Sequence, residues 1–297
     1  MPQHDYTENW DSFPSPIGPD EFGVERVGFF FVDLGLVEIA PVADMPNLVR
    51  LRLNILQPDD NGMPGDQEAS VLNAMEDALV TVMASQFDGI YPGRVTISKG
   101  ALRPVTEAER SFYFYIGQRV ADRRTDTADY EKLRVALLAT FARVMADYPD
   151  YKYECRLQED PEWENYLKFM YPEPVQLQSM QNRRVVYQLM QHGDQLTVPR
   201  PVEHWINFKT QYDREAYWNR VNAMGFELLE MSTVEADDES EEEDENALEY
   251  PYSLHITRDD KVDYDSIDEC VLPLWGLAEE HNGNYDGWET GIVQGEK

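Results

Sequence analysis

The alternation of apolar and polar positions divides the chain into short elements. Residues 24–37 are dense in Phe and Val and predict a strand. Over 48–56 the period is two, with Leu51, Leu53 and Ile55 on one face and Arg50, Arg52 and Asn54 on the other. Pro58, Asp60, Asn61, Gly62, Pro64 and Gly65 mark 57–66 as a loop. The period then lengthens to that of a helix over 67–87, where Val71, Ala74, Met75, Ala78, Leu79 and Val82 form one stripe. Strands are predicted at 94–98 and 111–117. A second helix at 126–148 carries Tyr130, Leu133, Leu137, Phe141, Val144 and Met145, and a strand follows at 151–157.

Residues 160–171 read as a short aromatic helix closed by Pro172 and Pro174, and 175–192 as a linking helix. Gly193, Pro199 and Pro201 then break the periodicity, which predicts a domain boundary there. Beyond it the same order of elements returns. Val202, His204, Ile206 and Phe208 alternate with Glu203, Trp205, Asn207 and Lys209 as in a strand. Thr210 with Asp213 is a helix start, the helix buries Tyr217, Val221 and Met224, and Gly225 suits its end. Strands at 226–234 and 250–258 follow, then a helix at 263–280 through Ile267, Val271, Leu274 and Ala278, a turn between Gly283 and Gly287, and a closing strand at 288–293.

The expected architecture is α+β: two ferredoxin-like α/β sandwich domains, each an antiparallel sheet with helices on one face. The expected layout is an irregular lead-in at 1–23, a domain at 24–172, a linking helix and linker at 173–197, and a second domain at 198–297.

Composition narrows the partners. The chain has 57 acidic and 25 basic residues, a net charge of −32. Such a surface repels phosphate backbones and anionic lipid, so direct nucleic-acid or membrane binding is not expected, and a basic protein partner is. Residues 198–297 hold 26 of the acids against 7 bases, and nine of the eleven residues in 235–245 are Asp or Glu. That run is a solvated loop on the plain reading and a steering field on the functional one. Its carboxylates Asp237, Asp238, Glu239, Glu241, Glu242, Glu243, Asp244 and Glu245 are candidate partner-binding residues. The longest apolar stretch is interrupted by Asp33 and is too short to span a bilayer, the N-terminus has no apolar leader, and Cys155 and Cys270 form no disulfide framework. A cytoplasmic setting is expected.

Catalytic chemistry is not expected. The histidines at 4, 192, 204, 255 and 281 have no metal-ligand spacing, no phosphate-binding or nucleophile-elbow motif occurs, and both cysteines sit in core-like patterns. Asn282, Asn284, Asp286 and Gly287 mimic the start of a calcium loop, but Val293 stands where its bidentate Glu belongs. No cofactor or metal is predicted. Asp33 inside a Phe-rich strand is unusual, and with Tyr113 and Tyr115 it forms a candidate N-terminal pocket.

Two resemblances add to this reading. Tyr285, Asp286, Gly287, Trp288, Glu289 and Thr290, preceded by Val202, Glu203, His204 and Trp205, an acidic inter-strand loop, and Tyr250, Pro251 and Tyr252, resemble the bacterial regulator of ribonuclease E activity B (ribonuclease E inhibitor B) family over 198–293. Asn9, Trp10 and Asp11, then 31–34, 113–115 and 160–163, resemble a bacterial domain of unknown function often found ahead of such a regulator, over 8–172. The first resemblance implies a non-enzymatic regulator that binds ribonuclease E or another nuclease and alters RNA decay. It makes Trp205, Tyr285, Asp286, Trp288 and Glu289 candidate contact residues, with a core role for Trp288 as the competing reading. An immunity-like inhibitor of a toxin, and a small-ligand or enzymatic module in the N-terminal domain, stay open at this point.

Overall fold

The computed structural model describes residues 6–19, 23–99, 107–117, 127–233 and 249–294. The chain forms two compact units, Met1–Pro172 and Glu173–Lys297. Among the described residues each holds helices and an antiparallel sheet, of six strands in the first unit and four in the second.

The first unit comprises β1 (Trp10–Pro19), β2 (Glu25–Asp33), β3 (Asn47–Asn54), α1 (Asp66–Phe87), β4 (Ile90–Lys99), β5 (Glu107–Ile116), α2 (Thr127–Met145) and β6 (Tyr153–Glu159). The sheet order is β1-β2-β4-β5-β3-β6, all antiparallel. From β3 onward this is a β-α-β-β-α-β chain, and the β1–β2 hairpin extends the sheet beyond β4. Residues 10–19, expected to be irregular, are strand β1. Pro14, Pro16 and Pro19 pointed away from a strand, yet β1 lies at the sheet edge, where missing N–H groups break no ladder. Residues 34–37, expected to continue β2, form a 3-10 turn over Leu34–Glu38 instead.

α1 and α2 cover one face of this sheet around Leu51, Leu53, Phe112 and Phe114. The buried stripe of α1 is Leu72, Met75, Leu79 and Met83, rotated from the expected one, and Val71 is exposed. An Ala-rich helix offers two stripes of similar apolarity, and the longer side chains occupy the core. The other face is roofed by the aromatic segment after β6, where Trp163, Tyr166 and Met170 are fully buried. Part of that segment is a π-helical turn, Asn165–Met170.

The second unit comprises α3 (Pro174–Gln191), β7 (Arg200–Phe208), α4 (Gln211–Ala223), β8 (Glu227–Thr233), β9 (Tyr252–Asp260), α5 (Tyr264–Glu280) and β10 (Gly283–Thr290). The sheet order is β10-β7-β9-β8, again antiparallel throughout. β7 to β10 therefore repeat the strand order of β3 to β6. Ile267, Val271, Leu274 and Ala278 of α5 pack on Val202, Ile206, Phe208 and Tyr217. The Thr210 hydroxyl accepts the Asp213 amide at the start of α4, 3.1 Å away. Gly283, expected to flank a turn, begins β10, and a Cβ there would meet the Phe208 ring at 2.6 Å.

The segment read as a linking helix and linker belongs to the second unit. Val186 and Leu189 of α3 enter its core. Asn182 donates to Asp268 Oδ1 at 2.8 Å and accepts the Trp288 indole N–H at 3.0 Å. The stretch after α3 is stapled as well. Arg200 pairs both terminal guanidinium nitrogens with Asp194 at 2.7 Å, and Asp194 also accepts the Val293 amide at 2.7 Å. A first proteolytic cut is therefore not expected at 193–201, against the boundary read from its breakers.

Two solution outcomes follow from this packing. The Arg200–Asp194 pair is almost wholly buried, so Asp194→Asn leaves a guanidinium uncompensated and is expected to cost about 3–5 kcal/mol by urea unfolding. His204 is fully buried on β7, and burial pushes its imidazole down to about 3. The unfolded chain takes up that proton near pH 6.5 and the folded chain only near pH 3. This contribution to stability is thus complete above about pH 6.5 and is lost as pH falls. Between pH 6.5 and 5, the stability of wild type relative to the His204→Gln variant is expected to fall by up to about 1.4 kcal/mol per pH unit, read from urea unfolding of both proteins.

Candidate protein-binding surface

β7 sends alternate side chains to opposite faces of the second sheet. Val202, His204, Ile206 and Phe208 face the helices and are fully buried, whereas Glu203, Trp205 and Asn207 face away. Pairing register carries the outward set across the sheet. Trp205 lies opposite His255 on β9 and Gly287 on β10, with Glu230 of β8 beside His255. The row above is Glu289, Glu203, Thr257 and Glu227, and the row below is Asn284, Asn207, Ser253 and Ser232. These twelve positions contain four Glu and no Lys or Arg.

An aromatic pair sits at the centre. The Trp205 and His255 rings stack at 4.3 Å between centroids with 18° between planes. His255 Nε2 lies 2.8 Å from Glu203 Oε2, which holds the imidazole flat against the indole. Trp205 and His255 are half-buried, while Glu227, Glu230 and Glu289 are exposed. The register slips between Tyr285 and Gly287, and Gly287 takes φ +141°. This bulge puts Asp286 into solvent at the β10 edge.

The candidate contact residues divide on this geometry. Trp205, Asp286 and Glu289 are on the outward or edge surface. Tyr285 and Trp288 are core residues, 7% and 8% exposed, so neither offers its ring to a partner. Register explains the difference, because Trp288 lies opposite the inward His204 and Tyr285 opposite the inward Ile206. The eight candidate carboxylates in the acidic run lie outside the described residues.

Behind the sheet, side chains from four elements converge in a way that the sequence reading missed. His204 Nδ1 is 2.7 Å from the Tyr285 hydroxyl, and its Nε2 is 3.8 Å from Cys270 Sγ. Cys270 Sγ is 3.5 Å from Asp260, which Arg258 grips with two nitrogens at 2.8 and 3.0 Å. A thiol beside an imidazole invites a nucleophilic reading, but the electrostatics oppose it. Burial and then Asp260 push the Cys270 thiol up to about 12, and burial keeps His204 a poor base. The other thiol, Cys155, is pushed up to about 11 by burial. The missed signal was the inward parity of His204 on β7 together with the place of Cys270 on the α5 stripe.

In the first unit the candidate pocket at Asp33, Tyr113 and Tyr115 is not a concave site. Asp33 is fully buried and caps the 3-10 turn. Its carboxylate accepts the Asn9 amide at 2.8 Å, the Gly35 amide at 3.1 Å and the Tyr6 hydroxyl at 3.0 Å. Tyr115 donates to Asp160 Oδ2 at 2.6 Å and stacks on Trp163 at 3.9 Å. Tyr166 fills the neighbouring space, its amide on the Tyr115 oxygen and its hydroxyl donating to the Asp33 carbonyl at 2.8 Å. Tyr113 is 2% exposed. The Tyr113 and Tyr115 rings pack against the roof segment, on Phe169 and Trp163, whereas the Asp33 side chain holds the 3-10 turn and the segment before β1.

Among the described residues no three His, Cys, Asp or Glu side chains converge as a metal-ligand set. Among them also, no helix is long and apolar enough to cross a membrane.

Comparison with known proteins divides the chain at the same place as its packing. Residues 179–290 match the family described as Regulator of ribonuclease activity B, a match that begins within α3. A protein of Photobacterium profundum named regulator of ribonuclease activity B is 27% identical over 120 residues, which make up 40% of this chain and 84% of that protein. Residues 23–171, half of the chain, match the family of unknown function DUF695. The chain thus belongs to the DUF695 family and joins to its domain a segment similar to Regulator of ribonuclease activity B.

Proposed function

We propose that this protein is a non-catalytic cytoplasmic regulator that binds a ribonuclease, of the ribonuclease E type, through the outward face of its second sheet, and lowers its action on RNA. The observation that carries this reading is the position of the acidic, Trp-centred face within the segment similar to Regulator of ribonuclease activity B. A half-buried indole already stacked and oriented is a ready anchor, since it loses little freedom on binding. Glu203, Glu227, Glu230 and Glu289 around it favour a basic segment of the nuclease and disfavour the RNA itself. The acidic run at 235–245 follows β8 in sequence and adds to the same field.

The two parts of this surface act differently. Solvated charges are worth about 0–1 kcal/mol per pair, but their summed field reaches about 8 Å at physiological salt and speeds encounter. The Trp205 contact is short-ranged and resists dissociation.

Association kinetics of the full chain with purified ribonuclease E, at two salt concentrations, separate these roles. Replacing the acids of 235–245 by Asn and Gln is expected to lower kon at low salt and leave koff nearly unchanged. Trp205→Ala is expected to weaken binding about tenfold or more with an unchanged Tm. Trp288→Ala, by contrast, is expected to cost about 3–5 kcal/mol of stability. The protein should also slow cleavage of an RNA substrate without binding the RNA. Absence of binding at micromolar concentration, or inhibition through the RNA alone, would sink the reading.

A further inference from the structure

The first unit carries an open cleft of about 320 Å³, whereas the proposed nuclease-binding face belongs to the second. It is on the helix side of the sheet, where the β1–β2 hairpin extends past the edge of α1. Trp10, Phe31 and Tyr91 come from the neighbouring strands β1, β2 and β4, and Glu76, Asp77 and Thr81 from α1. The volume is within the roughly 300–1,000 Å³ of small-molecule sites.

Its walls are aromatic. Trp10 stacks on Phe31 at 5.0 Å and leans on Tyr91 at 5.8 Å, and all three rings remain partly exposed. Polar groups in the cleft are mostly acceptors. Glu76 has a side chain nine-tenths buried. Its Oε1 accepts the Tyr91 hydroxyl at 2.8 Å and an Arg94 nitrogen at 2.5 Å, while its Oε2 is buried and has no partner. A buried charged acceptor is costly to leave unmet. Asp77 is exposed at the rim. The donors that would oppose a cation are occupied: the Trp10 indole N–H is given to Glu8 at 2.9 Å and the Tyr91 hydroxyl to Glu76. Arg94 stands behind the wall, over the Phe31 ring at 4.2 Å and paired with Glu76. A second guanidinium, the buried Arg110, lies near Glu76 and Arg94, and Glu8, Glu76 and Asp77 outnumber the two.

We propose that this cleft binds an organic cation, a guanidinium or alkylammonium group, which rests on the Trp10 and Tyr91 rings beside the Glu76 carboxylate with Asp77 at its rim. Cations are favoured on aromatic faces, and carboxylates beside and at the rim of the cleft add to the attraction. The group can belong to a free small molecule or to the end of an Arg or Lys side chain on a protein.

The test uses the full chain and follows the Trp10 indole N–H resonance, assigned by its loss in Trp10→Ala. One arm titrates agmatine, the second an acetylated and amidated Gly-Arg-Gly peptide, and the control is neutral N-butylurea. A saturable shift with a cation and none with the urea is expected. Agmatine alone binding assigns a small-molecule ligand, the peptide alone a protein side chain, and both the shared cation chemistry. By calorimetry, Trp10→Ala should weaken cation binding about fivefold or more. Asp77→Asn, at an exposed position that keeps the fold, should weaken it about twofold or more. No saturable shift with either cation, equal binding of the urea, or unchanged affinity in Asp77→Asn would overturn the proposal.

Discussion

Burial of one face of an antiparallel sheet under two helices is the constraint on which both units depend. The β-α-β-β-α-β chain meets it the same way twice, with the same strand order. It also leaves the opposite face of each sheet exposed unless something else covers it. In the first unit Trp163, Tyr166 and Met170 roof that face, Tyr113 and Tyr115 pack against the roof, and the Asp33 side chain holds the 3-10 turn. In the second unit the outward face is built from Glu, Asn, Ser and one stacked indole. Residues that looked functional in the first unit are therefore packing, and residues on a plain alternating strand of the second form the candidate surface.

Buried polar pairs hold the second unit together at points that apolar contact alone would leave loose. Asn182 links α3 to α5 through Asp268 and to β10 through Trp288. Asp194 ties the loop after α3 both to the start of β7 and to the chain beyond β10. Such groups are directional, so they select one arrangement of α3 on the core rather than merely adding burial. This makes a helix with an interrupted apolar pattern part of a domain. His204, Tyr285 and Cys270 show the same economy, as neutral groups that satisfy one another beneath the sheet.

Charge acts on a longer scale. A net charge of −32 opposes the compact state through self-repulsion and, on the proposed function, turns nucleic acid away and draws basic segments in. The same sign of charge recurs at the outward face of the second sheet and at the Glu76 cleft of the first unit, with aromatic rings at both. On the two proposals both sites take cationic groups, at very different size: a protein segment over a sheet face, and a single guanidinium or ammonium in a cleft.

Local pattern by itself determined the α+β class, the repeated order of elements and most strand faces. Period-two alternation fixes which residues of β3 and β7 point inward, whatever they pack against. It also placed Trp205 outside, and the charge count marked the acidic second half. Other features depended on partners distant in the chain. β1 is a strand because it pairs at an edge that tolerates proline. The α1 stripe is the one that meets the sheet. Tyr285 and Trp288 are core because a bulge at Gly287 sets the register of β10 against β7. The Glu76 cleft exists only because a hairpin from the start of the chain extends the sheet beyond a helix that comes much later in sequence. Short-range preference sets the conformation and face of a segment, whereas long-range pairing and packing decide which face has company, and only that decision leaves a surface free to bind.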